Sequence, residues 1–315
     1  MRPMSIHKHA HAIILAIVFL IGLIIRIGLE PKYPQGFHRD EAVITYDAYS
    51  ILMTGKDHWG EVAPLHFKSL GDYPPGIYNY TVALAIALIG YGELAGRLPA
   101  ILAGSLLIPI VYLLINKLFK QPKLSLVTAL LLAVSPWDVV QSRAGSEAIL
   151  GLLFFCLSWL SLIQWKKGGS FGWLITSSVL GFLAMFSYNA IKLGLPLLFT
   201  YYFLVQTNQF KQLKTTAIWL GCWWMLGVGS VFMNAGTAMS LSATSVLYTQ
   251  ETGSLSVAFI REGNSHIPVL VSRILHNRLI LAAQNITKNY LTYFSADFLL
   301  WRGGFPGRYA IPSVG

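Results

Sequence analysis

The sequence predicts an all-α polytopic membrane protein, and three observations carry that expectation. Hydrophobic residues make up 55% of the chain and charged residues only 11%, where a soluble domain carries roughly a quarter charged. The mean hydropathy is +0.58. Apolar runs recur from residue 12 to residue 233, separated by short polar connections. The net charge of +10 calls for no nucleic-acid partner, because Lys and Arg gathered on cytoplasmic loops give the same excess. Cys156 and Cys222 both sit inside apolar runs and read as small core residues, not as a disulfide or a metal pair.

The N-terminal stretch 1–11 holds Arg2, Lys8 and alternating His7, His9 and His11. It reads as a basic cytoplasmic flank, with a metal-binding tract as the alternative. Residues 12–29 form a first span, long enough to be an anchor and without a small-residue cleavage site. Arg26, near its far end, is expected to snorkel. The loop that follows, 30–75, is the acidic part of the chain: of thirteen Asp and Glu, eight fall between Glu30 and Glu93. Charges beside a bilayer are costly unless they serve chemistry, an ion path or solubility. Within the loop, Val43, Ile44, Tyr46, Ala48, Ile51 and Leu52 recur at helical spacing, which predicts an amphipathic surface helix from Asp40 to Met53. Thr54-Gly55-Lys56-Asp57 ends it, and Pro74-Pro75 suits the first turn of the next helix.

Residues 76–91 hold an uninterrupted apolar core only from Val82 to Ile89, well short of the roughly 20 residues that cross a bilayer. Clearer spans follow at 98–116, 124–140, 146–164, 172–187, 191–206 and 215–233. The basic connections carry Lys117, Lys120 and Lys123, then Lys166 and Lys167, then Lys211 and Lys214. All three fall on the cytoplasmic side, with the N-terminus, only if 76–91 does not cross. The expected organisation is therefore a transmembrane module over 1–233 with about seven spans. Its first outer loop, 30–97, carries juxtamembrane helices, and a long outer loop, 234–315, contains an amphipathic helix over 266–292. The turn Ser135 to Glu147 and the connection Tyr188-Asn189-Ala190 then share the outer face with Asp40. The final residues Ile311 to Gly315 form no terminal element, so the chain is expected to stop short of further spans.

These stretches together resemble the GT-C-type glycosyltransferases. They are Asp40-Glu41 after the first span, the Pro74-Pro75 helix start, and Gly92-Glu93-Leu94-Ala95-Gly96-Arg97-Leu98-Pro99-Ala100. They continue with Ser135-Pro136-Trp137, Ser142-Arg143-Ala144, Glu147, and Phe186-Ser187-Tyr188-Asn189-Ala190 with Pro196. Asn289-Tyr290-Leu291, Phe294-Ser295 and Asp297-Phe298-Leu299 complete the set. The nearest likeness is to the bacterial protein O-mannosyltransferase and aminoarabinose-transferase group, and it covers nearly the whole chain.

The resemblance implies a fold, a reaction and a set of roles. The fold is a GT-C-like helical module with juxtamembrane helices in its first outer loop. The reaction is inverting transfer of a sugar from a polyprenyl-phosphate carrier to a lipid, glycan or protein acceptor, at the extracytoplasmic face of the plasma membrane. Asp40 matches the catalytic acid of the family and becomes the candidate base, assisted by Glu41, while Glu147 matches the second acidic position. Such transfer needs a base for the acceptor hydroxyl and positive charge for the departing phosphate. Lys68, Arg97, Arg143 and Lys192 are the candidates for that charge. Tyr73 stands where many relatives carry a lysine, and with His38 and Tyr188 it is expected to contact substrate.

The plain structural role of Asp40 and Glu41 is to cap the following helix. The cations could equally serve as headgroup contacts or snorkelling ends. No cofactor is expected, although Asp40, Glu41 and Glu147 leave room for a divalent cation if they converge. Two other classes stay open: a secondary transporter using the loop carboxylates, and a non-catalytic relative that binds the lipid carrier.

Overall fold

The computed structural model describes residues 4–28, 36–69, 73–168, 170–205, 213–232, 278–292 and 294–296. In chain order its helices are α1 (Met4–Ile27), α2 (Arg39–Thr54), α3 (Ile77–Ile89), α4 (Glu93–Phe119), α5 (Pro122–Val134) and α6 (Pro136–Arg143). Then come α7 (Glu147–Lys166), α8 (Phe171–Met185), α9 (Ile191–Val205), α10 (Leu213–Phe232) and α11 (Arg278–Thr292). The only β pairing among the described residues is two isolated bridges, Lys56 with Val62 and His66 with Pro75. They fold residues 56–69 and 73–76 into a strap between α2 and α3.

The protein is a multi-pass membrane protein. Helices α1, α4 and α7 are each long and apolar enough to cross a bilayer, and α5 with α6, bent by 51° at the intervening break, make a fourth crossing when taken together. Helices α8 and α9, of 15 residues each, reach only ~23 Å at 1.5 Å per residue. The expected single span over 124–140 is thus two helices. Pro136, at the first position of α6, has no N–H to continue the α5 ladder, and its ring excludes helix before it.

Helix α4 stands at the centre and packs on α1, α3, α5, α6 and α7. Lipid tails are as apolar as leucine, so apolar packing alone gives helices in a bilayer little reason to associate. Close approach at small residues and polar pairs do the work. Ala100, Ala103, Ala129 and Ala133 are accordingly buried between helices, while Ile13, Leu84, Leu102 and Val127 face outward. A second core joins α7, α9 and α10 through aromatic rings, with Trp159 and Phe199 stacked at 5.5 Å and Phe199 and Trp219 tilted at 4.9 Å.

Helix α2 keeps the predicted extent and ends at Gly55, which takes the left-handed conformation (φ 73°) that closes helices. Its burial is inverted: Glu41, Thr45, Asp47 and Ala48 are inside, while Tyr46, Tyr49, Leu52 and Met53 are exposed. Such a helix turns its apolar face to lipid and its polar face to the protein.

Two sequence expectations are corrected, and a third is described only in part. Pro74-Pro75 does not open a helix. Pro75 pairs with His66 in the strap, and α3 begins at Ile77 after a Gly76 cap. Arg26 does not snorkel: it is fully buried and paired with Asp138 of α6. It finds more partners inside than at the headgroups, because the break after α5 leaves backbone carbonyls open. The amphipathic helix expected over 266–292 is described only as α11, Arg278–Thr292; the remainder of 266–277 lies outside the described residues, as do 297–299.

Candidate active site

The site is built first on the start of α2. His38 is the N-cap, in extended conformation, and its Nδ1 accepts from Asp40 N–H. Glu41 reaches back to accept from His38 N–H at 3.1 Å, closing a capping box. The capping role therefore falls to His38 and Glu41. Asp40 sits in the first turn with its side chain 35% exposed, 3.5 Å from Arg39 Nε and 3.9 Å from His38 Nδ1.

The second layer comes from α4. Arg97 is fully buried and donates from Nη2 to Glu41 Oε2 at 3.1 Å and to Gly36 O at 2.6 Å, while its Nη1 lies 3.6 Å from Glu93. Burial drives the Glu41 carboxyl above its ordinary pKa, and Arg97 and His38 pull against that rise. Gly96 makes this contact feasible. A Cβ there would meet Thr45 Oγ1 and the Phe37 ring at 3.2 Å, so only glycine lets α4 approach α2 this closely.

The third piece is the turn between α6 and α7. Gly145 adopts φ +59°, and its Cβ position lies 3.3 Å from Gly96 O, 3.4 Å from the Tyr78 hydroxyl and 3.6 Å from Arg97 Cγ. Tyr78 donates to Gly96 O at 2.9 Å. The turn bearing Arg143 (7% exposed) and Glu147, whose preceding Ser146 caps α7, is thus seated on the backbone that carries Arg97. One helical turn below Glu147, Gly151 lies against Ser187, Tyr188 and Ile191. This brings the α8–α9 connection, with half-exposed Tyr188, to the same end of the bundle.

Lys192, in the first turn of α9, is fully buried and shares a proton contact of 2.8 Å with His66 Nε2 on the strap. Burial, reinforced by the Lys192 charge, lowers the His66 pKa to about 4. His66 is therefore neutral at physiological pH and accepts from the ammonium. Lys68 lies on the strap, its Nζ 4.3 Å over the Trp59 ring, and Trp59 Nε1 donates to Lys68 O at 2.8 Å. Tyr73 precedes Pro74, whose carbonyl accepts from Phe67 N–H at 2.9 Å.

The structure thus brings His38, Asp40, Glu41, Arg97, the Arg143–Glu147 turn, Tyr188 and Lys192 to one end of the bundle, with Lys68 and Tyr73 on the strap beside them. Lys120, Lys166 and Lys167 lie at the far ends of α4 and α7. Sequence reasoning missed Asp47, which is buried and accepts at Oδ1 from both His58 N and His58 Nδ1. It also missed Asp138 as the partner of Arg26. A charged residue inside an apolar run was the one available signal for the latter. Among the described residues no group of three or more His, Cys, Asp or Glu converges in metal-ligand fashion.

Comparison with known proteins adds the family. Residues 72–233, just over half of the chain, match the dolichyl-phosphate-mannose-protein mannosyltransferase family. No curated protein matches. The fold is similar to the archaeal oligosaccharyltransferase AglB from Archaeoglobus fulgidus in complex with an inhibitory peptide and a dolichol-phosphate. That likeness has TM-score 0.54 and 14% identity, covering 91% of this chain and 37% of that one. The apo form of the Archaeoglobus fulgidus oligosaccharyltransferase is similar at TM-score 0.55 and 14% identity, covering 92% and 38%. The chain spans less than two-fifths of the length of either structure, and at that identity the likeness is one of fold. The match to the family over half the sequence, on a helical membrane scaffold of the GT-C type, makes this chain a member of the dolichyl-phosphate-mannose-protein mannosyltransferase family.

Proposed function

We propose that the protein is an inverting glycosyltransferase. It moves a sugar from a polyprenyl-phosphate carrier to a hydroxyl-bearing lipid, glycan or protein acceptor on the outer face of the plasma membrane. The observation that supports this most is that Arg97 joins the two acidic pieces: it pairs with Glu41, next to part-exposed Asp40, and the Gly145 turn between Arg143 and Glu147 rests on it, at the bundle end away from Lys120 and Lys166. Positive-inside topology makes that end the outer one. The non-crossing reading of α3 fits the same geometry. Tyr78, in the first turn of α3, reaches Gly96, in the first turn of α4, so the two helix starts lie side by side instead of at opposite ends of a hairpin.

In the proposed reaction Asp40 takes the proton of the acceptor hydroxyl as its oxygen attacks the anomeric carbon. The bond from that carbon to the phosphate oxygen breaks with inversion, and the lipid phosphate leaves with the electron pair. Arg143, Lys192 and Lys68 are the candidates for stabilising that charge. Arg97, held between Glu41, Glu93 and Gly36, acts in this scheme by fixing Glu41 and the first loop, and its field reaches the phosphate from behind. His38, Tyr73 and Tyr188 line the approach. The dolichol-phosphate and peptide bound to AglB are in keeping with a lipid-phosphate donor and a protein acceptor. The test is to incubate proteoliposomes with a panel of polyprenyl-phosphate sugars, with and without a chelator, and to follow consumption of each donor. Consumption of one donor that survives chelation is the expected result, and no consumption of any donor refutes the proposal.

A further inference from the structure

Arg26 and Asp138 carry the remaining unexplained chemistry. Both side chains are fully buried, and they lie 112 residues apart in sequence, on α1 and α6. Arg26 Nη1 also donates to Gly22 O at 2.8 Å and Ala133 O at 3.1 Å, and Nη2 lies 3.4 Å from Leu132 O. Two of those carbonyls belong to the last turn of α5, just where the ladder fails before Pro136. One guanidinium therefore satisfies the broken end of α5 and the first turn of α6 together, which defines the 51° bend between them. Room for it is made by missing side chains. A Cβ at Gly104 of α4 would lie 3.2 Å from Arg26 Nε and collide with Ser142, and one at Gly22 would lie 3.1 Å from Nη1. Ser142 in turn donates to Asp138 O at 2.6 Å, one residue before Arg143. From Asp138 the chain runs through a single two-turn helix to the Gly145 turn that rests on Gly96 and Arg97.

We propose that Arg26 and Asp138 are positioning residues for the active site: by fixing the bend between α5 and α6 they set the Arg143–Glu147 turn against Gly96 and Arg97, the residue that holds Glu41 beside Asp40. This inference rests on the glycosyltransferase reading of that site. A fully buried ion pair is weak support for stability in itself, since apolar replacements of like volume are often neutral or stabilising. Its value here lies in direction. A guanidinium has a rigid fork of donors that can hold a carboxylate and carbonyls at set angles, and methyl groups hold none.

The test separates position from folding. In a background with Cys156→Ala and Cys222→Ser, Ser146→Cys places a thiol in the turn, where the native serine is 6% exposed. Three proteins are compared, each bearing that thiol: the parent, the Arg26→Met/Asp138→Leu double variant, and Arg26→Lys. The expected result is cooperative melting in all three. A water-soluble maleimide should label the double variant at least ~10-fold faster, as a locally opened turn allows, with Arg26→Lys in between. Without the added thiol, the double variant should lose ~10²-fold in kcat, the cost of a misplacement of about 1 Å, and donor KM should rise by up to about tenfold because Arg143 moves with the turn. If the double variant does not fold, Arg26→Lys, which keeps the charge beside Asp138, carries the same readouts. Parent-like labelling and turnover in the folded variants overturns the proposal. Should no donor be turned over by the parent, the glycosyltransferase reading fails, and the labelling rates alone then decide whether the pair sets the turn.

Discussion

Asp40→Asn is the change that bears most directly on the mechanism, because the structure separates its chemical cost from its folding cost. The Asp40 carboxyl is 35% exposed and its contacts to Arg39 and His38 are 3.5 and 3.9 Å, with partners 62% and 31% exposed. Exposed pairs of that kind contribute less than ~1 kcal/mol. The favourable field of a helix N-terminus adds about 0.3–1 kcal/mol. The cap itself is made by His38 and Glu41 and survives. Folding should therefore lose no more than ~1–2 kcal/mol. Removal of a general base costs about 10²–10⁴ in rate, or ~2.7–5.5 kcal/mol of activation free energy. In proteoliposomes with the donor identified by the panel assay, Asp40→Asn should melt close to the parent and transfer sugar at least a hundredfold more slowly. Arg39→Gln, which removes the exposed cation beside it, should leave both melting and transfer rate close to the parent. A well-folded Asp40→Asn protein that transfers sugar at a near-normal rate removes Asp40 from the role of base.

Glu41→Ala should behave in the opposite way: it leaves the buried Arg97 charge without its main partner, a loss of about 3–5 kcal/mol, so the expected readout is a lower melting temperature, and unchanged melting contradicts the capping and ion-pair account. Replacing Arg143 or Lys192 by Ala should weaken donor binding roughly ten- to hundredfold, the worth of a charge-assisted hydrogen bond of about 1.5–3 kcal/mol. Normal donor affinity in both moves the phosphate site elsewhere. Cysteines at Lys120 and Glu61, both exposed, should label from opposite sides of the membrane, and labelling from one side makes α3 a crossing helix. The strap should loosen in acid. His66 has its folded pKa lowered to about 4 from 6.5, so between those values the unfolded form binds more protons and stability rises with pH. As pH falls from 6.5 towards 4 stability on the order of 3 kcal/mol is lost, because the folded protein resists protonation of His66, chiefly through burial of the ring and secondarily through the Lys192 charge. Protease nicking of residues 56–76 should increase over that window and stay flat in His66→Gln.

Much of the site was legible because its parts announce themselves one at a time. The Asp40-Glu41 pair in an acid-rich loop, a glycine before Arg97 and a short polar turn ending in Glu147 are local features, and each lies where the structure gathers the site. What sequence reading missed is pairwise. Arg26 looks like a snorkelling end until α6 supplies Asp138 from 112 residues away. Asp47 looks like one more loop acid until His58 closes over it. Lys192 looks like a free phosphate ligand until the strap presents His66. Apolar periodicity locates a helix but not the neighbour that neutralises its one charge. It also hid the break at Pro136, since hydropathy runs on across a bend that backbone chemistry cannot cross.

If Asp40 is the base as proposed, the inverted burial of α2 makes the surrounding medium part of the catalytic apparatus. A water-soluble enzyme can be extracted, diluted and stored without disturbing its nucleophile or base, because the oily side of each helix is already inside. Here Tyr46, Tyr49, Leu52 and Met53 are outside, and what they rest on is supplied by the cell. Whatever thins, crowds or strips that lipid acts on the helix whose first turn holds Asp40. Activity lost on solubilisation would then mark a misplaced base in an otherwise intact bundle, and restoring the bilayer would restore it.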